Sequence, residues 1–294
     1  MENPDVKTTK NITLKAYSKI NLSLDVTGTY PNGYHKVRMV MAQTSLCDEL
    51  TFEKIKEGCE ITCNRKDLST KEDNLIYKAY KAMKDSFNFD GGIKVNLTKK
   101  IPVAAGLAGG SSDAAACIKA INELYNLNAE NDALCEIGAK IGADIPYCIV
   151  GGYALCEGIG EIITPIEGSL NGFILIVKPP IDVYTPHVYK ELDKIEEYPH
   201  PDVEGMIKAV NEKNLTLACE KLGNVLEEVT VKEHPEIEEI KTFMINNGAS
   251  GTLMSGSGPS VFAVFEEKKT AEKALESFKT KTRDYESFIT ELIN

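Results

Sequence analysis

The chain has 294 residues, of which 43% are apolar and 26% are charged, a composition typical of a folded globular protein. Its net charge of −11 argues against a nucleic-acid partner, because proteins that bind polyanions gather Lys and Arg into a basic surface. The polar N-terminus lacks the apolar segment of a secretory signal, and no apolar stretch is long enough to cross a bilayer. We therefore expect a cytoplasmic protein without a membrane partner, and the sequence indicates no oligomeric state.

The first half of the chain reads as mixed α and β structure. Loose alternation of apolar and polar residues predicts a strand or strand pair over residues 12–26, and Pro31–His35 is typical of a turn. Further strands are predicted at residues 49–55 and 92–98, with a helix near residues 73–86 between them. A second helix should follow a glycine-rich loop, and a third is predicted around residues 131–141.

The second half alternates helices and strands. An apolar strand is predicted at Gly172–Val177, followed by a loop that enters a helix over residues 184–191. Two short strands, at residues 252–255 and 261–265, flank the turn GSGPS, and Thr270 is the predicted N-cap of a helix that ends at Lys279. We place the domain boundary near residues 160–172, which divides the chain into domains 1–165 and 166–294.

The most informative segment is the glycine-rich run at residues 101–125, which leads directly into a helix. Its glycines allow the backbone to approach a ligand closely. The polar residues Ser111, Ser112 and Asp113 then lie at the helix start, where four N–H groups lack intrahelical partners and the helix dipole is positive. This arrangement predicts an anion site. The alternative is a tight turn in which Ser111 or Ser112 is an ordinary N-cap.

Several other phosphate-binding motifs are absent from the sequence. It contains no Walker A motif, no GxGxxG motif of a dinucleotide-binding fold, and neither the HRD nor the DFG motif of protein kinases. The eight cysteines form no CxxC pair and the four histidines are scattered, so no zinc site is expected. These absences narrow the choice of phosphate-binding families.

Three segments in order resemble the motifs of the GHMP kinase superfamily. They are the loop PVAAGLAGGSSDAA at residues 102–115, KAYSKINLSLDV at 15–26, and LMSGSGPSVFAVF at 253–265. The resemblance implies an α+β, two-domain GHMP kinase fold. Its N-terminal domain would be mixed α/β with the glycine-rich phosphate loop, and its C-terminal domain ferredoxin-like α+β. It also implies phosphoryl transfer from ATP with Mg²⁺ to the hydroxyl of a small molecule.

Further segments resemble one branch of that superfamily, whose acceptor is a cytidylylated polyol of non-mevalonate isoprenoid biosynthesis. These segments lie at residues 18–35, 72–80, 142–161 and 182–189. The resemblance covers nearly the whole chain and implies phosphorylation of the C2 hydroxyl of the polyol. Two alternatives stay open: a GHMP kinase for another small acceptor, such as homoserine or a mevalonate derivative, and a nucleotide-binding sensor without catalysis.

The resemblance places ATP on the glycine-rich loop, with two further residues, Asn74 and Lys99, near the base. The alternative for Asn74 is an ordinary polar residue at the start of a helix. The loop residues implied are Pro102, Ala104, Gly106, Leu107, Ala108, Gly109, Gly110, Ser111 and Ser112. Ala108 stands where the family often has glycine, which makes a positive φ at this residue less expected. The ligands of Mg²⁺ are not indicated by the sequence.

Asp144 is the best candidate for the group that deprotonates the acceptor hydroxyl. It is the single charge between Ile141 and Cys156, and a lone carboxylate in apolar surroundings is costly unless it is paired. The family pairs it with a lysine at the position of Lys19, which would keep Asp144 ionised. The alternatives are a helix cap for Asp144 and a solvent-facing side chain for Lys19.

The acceptor site is implied by the same resemblance. Asn21 shares a strand face with Lys19 and is expected to hydrogen-bond the polyol, which Thr185 would also touch. Tyr34 and Tyr189 would stack on the cytosine ring, while the backbone of His35 reads its edge. Ordinary packing is the alternative for both tyrosines.

Overall fold

The computed structural model describes residues 11–282 and 284–293. The first ten residues, on which the expectation of no secretory signal rests, lie outside the described residues. In the described part of the chain, no helix is both long enough and apolar enough to cross a membrane.

The first half of the chain forms a curved sheet packed against helices. Its elements, in chain order, are β1 (Ile12–Thr29), β2 (His35–Ile55), β3 (Cys59–Cys63), α1 (Leu75–Phe87), β4 (Gly92–Thr98), α2 (Gly109–Leu124), α3 (Asn131–Ala139), α4 (Ile145–Val150), β5 (Tyr153–Glu157) and β6 (Ile162–Pro165). The predicted mixture of α and β structure is confirmed. The predicted strand at 12–26 is part of β1, and the predicted helix at 73–86 is α1.

Strand β2 is much longer than the segment 49–55 predicted for it. It pairs antiparallel with β1 along most of its length, and then successive parts of it pair with β5 and β4. Residues Met39–Ala42 are buried on both faces, so they do not alternate between apolar and polar. The sequence pattern missed this part of the strand for that reason. His35, which was predicted as part of a turn, is its first residue.

The second half contains a four-stranded antiparallel sheet. Its elements, in chain order, are β7 (Phe173–Lys178), α5 (Thr185–Leu192), α6 (Val203–Asn211), α7 (Leu215–Glu220), β8 (Gly223–Asn224), α8 (Glu227–Glu233), α9 (Glu236–Asn246), β9 (Gly251–Met254), β10 (Val261–Phe265), α10 (Lys268–Lys281) and β11 (Glu286–Ile293). The spatial order is β11-β7-β10-β9, which numbers the four strands 4-1-3-2. Together with the intervening helices this is the ferredoxin-like arrangement expected from the family.

The predicted N-cap at Thr270 is wrong. Helix α10 begins at Lys268, and its N-cap position is Glu267, three residues before Thr270. No side chain caps the helix. Thr270 therefore lies inside the first turn.

Two strands join the halves of the chain. β8 pairs with β1 at Ser23 and Leu24, and the end of β11 pairs with β2 at Gln43 and Thr44. Both clusters of buried apolar side chains draw residues from each side of position 165. The boundary between residues 165 and 166 stays a prediction, but these contacts fix how β1, with Lys19 and Asn21, lies against the second half.

Candidate active site

Three neighbouring cavities lie where the two halves meet. The loop cavity, about 410 Å³, is lined by residues 102–111, and the central cavity, about 300 Å³, contains Lys19 and Asp144. The aromatic cavity, about 420 Å³, contains Tyr34 and His35. The first two share walls at Gly106, Ala108 and Ser111, and the last two share walls at Ile159, Thr185 and Tyr189. The three cavities therefore form one series with the central cavity in the middle.

Most residues expected to bind ATP line the loop cavity. They are Asn74, Lys99, Pro102, Ala104, Gly106, Leu107, Ala108, Gly109, Gly110 and Ser111. Ser112 is placed differently, since its buried hydroxyl donates to the carbonyl of Gly109 at 2.9 Å and its side chain does not line this cavity. A contact between the Ser112 side chain and the nucleotide would need this hydrogen bond to break.

The start of helix α2 has free backbone donors. The N-cap is Ala108, with φ 55° and ψ 28°, and no side chain caps the helix. The alternative of an ordinary serine N-cap is therefore wrong, as is the lowered expectation of a positive φ at Ala108. Among the described residues, no acceptor faces the N–H groups of Gly109, Gly110 and Ser111. Such donors at the positive end of a helix suit an anion.

Gly106 lies where the loop meets the second glycine-rich turn, residues 255–260. Its φ is 71°, and a Cβ built on it would lie 2.2 Å from the carbonyl oxygen of Ser255. The hydroxyl of Ser255 donates to the carbonyl of Gly106 at 3.0 Å. Only glycine fits this approach, so the two glycine-rich motifs of the sequence form one contact.

A buried cluster of three ionisable side chains lies beside the loop, and sequence reasoning missed one of its members, Asp48. Lys99 Nζ lies 2.5 Å from Asp48 Oδ2 and 2.7 Å from Asp113 Oδ2. Burial raises the pKa of Asp113 to about 8, against the opposing effect of Lys99. Burial lowers the pKa of Lys99, but the two carboxylates outweigh it and raise this pKa overall. The contact of Lys99 with the base of ATP stays a prediction.

Asp144 lies at the N-terminal edge of α4, half-buried in the wall of the central cavity. It occupies the N-cap position, but its side chain accepts no capping hydrogen bond. The alternative of a helix cap is therefore wrong. The carboxylate is left available to a ligand in the central cavity.

Lys19 is buried, which excludes the solvent-facing alternative, but it does not pair with Asp144 as expected. Its Nζ donates to Asn21 Oδ1 at 2.7 Å, because residues two apart on a strand share a face. Within the part of the chain that the structure describes, Lys19 and Asp144 make no ion pair. Both side chains nevertheless line the central cavity, so one ligand there can contact both of them.

Two polar residues that the sequence did not single out, Asn224 and Thr230, hold the turn at residues 255–260. The Asn224 amide donates to the carbonyls of Met254 and Gly256 at 2.9 and 2.8 Å. The Thr230 hydroxyl donates to the carbonyl of Ser257 at 3.2 Å, and the Ser257 hydroxyl lies 2.7 Å from that of Thr185. The turn therefore connects the loop cavity to helix α5. No motif would have identified Asn224 or Thr230, since each acts through backbone carbonyls distant in sequence.

The aromatic cavity brings together all the residues expected at the cytosine. Tyr34 is 59% exposed, so packing into a core does not account for it. The rings of His35 and Tyr189 lie 4.7 Å apart at an angle of 30°, and His35 Nε2 lies 2.8 Å from Asp193 Oδ1. Burial raises the pKa of Tyr189 well above its ordinary value. Thr185 and Tyr189 project from α5 into both the central and the aromatic cavity.

Two family models match the chain. The model for the GHMP kinases N terminal domain matches residues 74–152, and the model for the GHMP kinases C terminal domain matches residues 206–284. The first match includes the glycine-rich loop and Asp144, and the second includes the turn at residues 255–260.

Individual proteins resemble the chain over nearly all of its length. The 4-diphosphocytidyl-2-C-methyl-D-erythritol kinase of Clostridium novyi is 50% identical over 92% of this chain and 96% of its own. The protein of the same name from Lachnoclostridium phytofermentans is 47% identical over 95% and 96%. A crystal structure of 4-(cytidine 5'-diphospho)-2C-methyl-D-erythritol kinase superposes with a TM-score of 0.82 at 29% identity, over 96% of this chain and 100% of that one. Homoserine kinase from Cytophaga hutchinsonii, at 20% identity and a TM-score of 0.76 over 100% and 98%, shares the fold.

Proposed function

The chain belongs to the GHMP kinase family, and we propose that this small-molecule kinase transfers the terminal phosphoryl group of ATP to 4-diphosphocytidyl-2-C-methyl-D-erythritol. The phosphoryl acceptor is the C2 hydroxyl, and the transfer is direct and in line, without a phosphoenzyme. The observation that carries the proposal is the series of three cavities, in which Lys19 and Asp144 line the middle one. Relatives of that name, about half identical in sequence, support the choice of acceptor.

The loop cavity holds ATP in this proposal. The free N–H groups of Gly109, Gly110 and Ser111 bind the phosphates at the positive end of α2. Because Gly106, Ala108 and Ser111 also line the central cavity, the terminal phosphate is placed at the junction of the two. Asn74, whose side chain caps α1, and Lys99 line the same cavity, and we assign both to the base.

Magnesium enters with the nucleotide in this account. In residues 11–282 and 284–293, no group of three or more His, Cys, Asp or Glu side chains could hold a metal ion. Mg²⁺ commonly keeps several waters and binds through the phosphates of a substrate, so the site fits an ion carried by ATP, and we assign it no side-chain ligand. When bound, it neutralises charge on the phosphates.

Proton transfer is assigned to Asp144, whose carboxylate faces the central cavity without a capping bond. It takes the proton of the acceptor hydroxyl as the oxygen attacks phosphorus. Lys19, held by Asn21, supplies positive charge beside the developing negative charge. Because the Lys19 ammonium donates to Asn21, the Asp144 carboxylate stays available to accept the proton.

The aromatic cavity binds the cytidine in this proposal. Tyr34 and Tyr189 supply two aromatic faces for the base, and the His35 backbone reads its edge. Thr185, between this cavity and the central one, contacts the polyol. Homoserine and mevalonate have no ring to fill a cavity of about 420 Å³, so the cavity favours the cytidylylated acceptor. A sensor without catalysis would not need Lys19 and Asp144 in one cavity.

The proposal is tested by following ADP release from ATP and Mg²⁺ with a panel of acceptors. The panel contains 4-diphosphocytidyl-2-C-methyl-D-erythritol, homoserine and mevalonate. We expect stoichiometric ADP release with the first and only background release with the others. Turnover of homoserine or mevalonate at a comparable rate would select the alternative, and ATP binding without any turnover would select a sensor.

A further inference from the structure

Asp48 is fully buried in β2 and belongs to none of the motifs that define the site. We propose that it is a positioning residue for the nucleotide, because it holds both ends of the phosphate loop in place. The inference rests on the proposed function, since it assumes that ATP occupies the loop cavity. Asp48 itself does not line that cavity.

The first end of the loop is held through its backbone. Asp48 Oδ1 accepts from the N–H of Lys100 at 2.5 Å and from the N–H of Ile101 at 2.8 Å. These two residues follow β4 and lead directly into Pro102, where the cavity wall begins. A carboxylate that accepts two backbone bonds in a buried site fixes the direction in which the chain leaves the strand.

The second end is held through a lysine. The other oxygen of Asp48, Oδ2, pairs with Lys99 Nζ, which also pairs with Asp113 in the first turns of α2. Asp113 is only four residues beyond Gly109, whose N–H is one of the free donors. One buried cluster therefore holds residues 99 and 113, at the two ends of the loop, next to each other.

The loop needs such support because its own conformation is strained. Ala104 and Ala108 both have positive φ, 51° and 55°, which costs free energy for residues with a Cβ. No side chain caps α2, so local hydrogen bonds do not fix the directions of the first N–H groups. Asp48 and the Ser255 hydroxyl instead hold the loop from outside, through the N–H groups of Lys100 and Ile101 and the carbonyl of Gly106.

The charge of the cluster fits the same role. Two carboxylates and one ammonium would leave one negative charge beside the phosphates. Burial raises the pKa of Asp113, against the opposing effect of Lys99, and so disfavours the negative charge of this carboxyl. The cluster then holds the loop with less repulsion of ATP.

The experiment compares Asp48→Asn, which keeps the shape of the side chain, with the unmodified protein. A matched control is Asp202→Asn, since Asp202 also accepts a backbone N–H and pairs with a lysine but lines none of the three cavities. The Kd of Mg·ATP is measured by calorimetry, and KM is measured separately for ATP and for the acceptor. For Asp48→Asn we expect Kd and KM for ATP to rise about tenfold, with KM for the acceptor unchanged. For Asp202→Asn all three constants should stay within about twofold of the unmodified protein.

Asp48→Glu is the second variant if Asp48→Asn does not fold. It keeps the charge opposite Lys99 but displaces the oxygens from the two N–H groups, so Kd for ATP should still rise severalfold. The inference is overturned if either folded variant binds ATP normally, or if KM rises equally for both substrates. If the unmodified protein does not bind ATP at all, the proposed function fails. If the unmodified protein and the variant both bind ATP normally, the inference about Asp48 fails but the proposed function does not.

Discussion

The two ends of the series of cavities are built in opposite ways. At the loop end, the ligand groups are backbone N–H donors, and the side chains behind them are buried and hydrogen-bonded to one another. At the aromatic end, the groups proposed to bind the base include side chains such as Tyr34, which is 59% exposed. In the proposed function, the loop end would therefore be formed before ATP arrives, whereas the aromatic end would be completed by the acceptor.

This difference fits what each end must recognise. Triphosphate chains are the same in all ATP-dependent enzymes, and a fixed set of N–H donors binds them without regard to the acceptor. The face of a cytosine base is recognised by aromatic rings, which only side chains provide, and in the proposed function the backbone of His35 reads its edge. Variants at the loop end should therefore affect ATP, and variants at the aromatic end should affect the acceptor.

The largest effect is expected between the two ends, at Asp144. Asp144→Asn removes the base, so turnover should fall by about 10²- to 10⁴-fold, while the Kd for ATP changes little. The rate of ADP release at saturating substrates and calorimetry with Mg·ATP check the two parts. Asp132→Asn, on the exposed first turn of α3, is the control and should leave turnover unchanged. Near-normal turnover in Asp144→Asn would contradict the assignment of Asp144 as the base.

At the loop end, Gly106→Ala should have the next largest effect. The new Cβ would meet the carbonyl of Ser255 at a residue whose φ is 71°. We expect a loss of about 1–3 kcal/mol of stability and a KM for ATP at least tenfold higher, with the acceptor less affected. Thermal unfolding and steady-state kinetics measure both effects.

Gly58→Ala provides the control for Gly106→Ala, because its φ is 79° but nothing lies within 4 Å of the new Cβ. It should lower stability only by its backbone strain and leave both KM values unchanged. If Gly106→Ala and Gly58→Ala had the same KM values, the contact between the two glycine-rich motifs would not be what supports ATP binding.

At the aromatic end, Tyr34→Ala should raise KM for the acceptor about tenfold and leave KM for ATP unchanged, since stacking on a base is worth about 1–3 kcal/mol. Tyr184→Ala is a matched control, because Tyr184 is 73% exposed but lines none of the three cavities. Steady-state kinetics with each substrate varied in turn makes the comparison. If KM rises equally for ATP and acceptor in Tyr34→Ala, the aromatic end does not recognise the base.

The smallest effect is expected on stability, at Asp113. Its pKa is about 8 in the folded protein, above the ordinary value of 3.8, so its contribution to stability is fully present below about pH 4 and is lost as pH rises toward 8. Asp113→Asn cannot titrate, so its free energy of unfolding should fall less between pH 5 and pH 8 than that of the unmodified protein. Urea unfolding at the two pH values measures this. An equal fall in both proteins would contradict the buried, protonated state.

The sequence predicted the parts of the molecule that repeat a local pattern. The glycine-rich loop, the helix α2 behind it and the isolated charge of Asp144 are each visible in a short stretch of sequence. The family resemblance placed Lys19, Asn21, Tyr34, His35 and the residues of α5 in the cavities where the structure has them. Their individual roles stay predictions.

The parts that could not be predicted depend on contacts between distant segments. Asp48 lies 51 residues from Lys99 in the chain, and nothing local marks it as different from any other acidic residue of a strand. The expected pair of Lys19 and Asp144 failed because Asn21, a nearer acceptor on the same strand face, takes the ammonium. Ser112 looked equivalent to Ser111, but the helix begins at Gly109 and turns its hydroxyl back to the backbone.

The most direct test of the division between the two ends compares two acceptors in the unmodified protein. One is 4-diphosphocytidyl-2-C-methyl-D-erythritol, and the other is the same polyol with a simple phosphate in place of cytidine diphosphate. ADP release is followed for both at varied acceptor and varied ATP. We expect removal of the cytidine to lower kcat/KM for the acceptor by about 100-fold or more, while KM for ATP stays the same. Equal kcat/KM values for the two acceptors would contradict it.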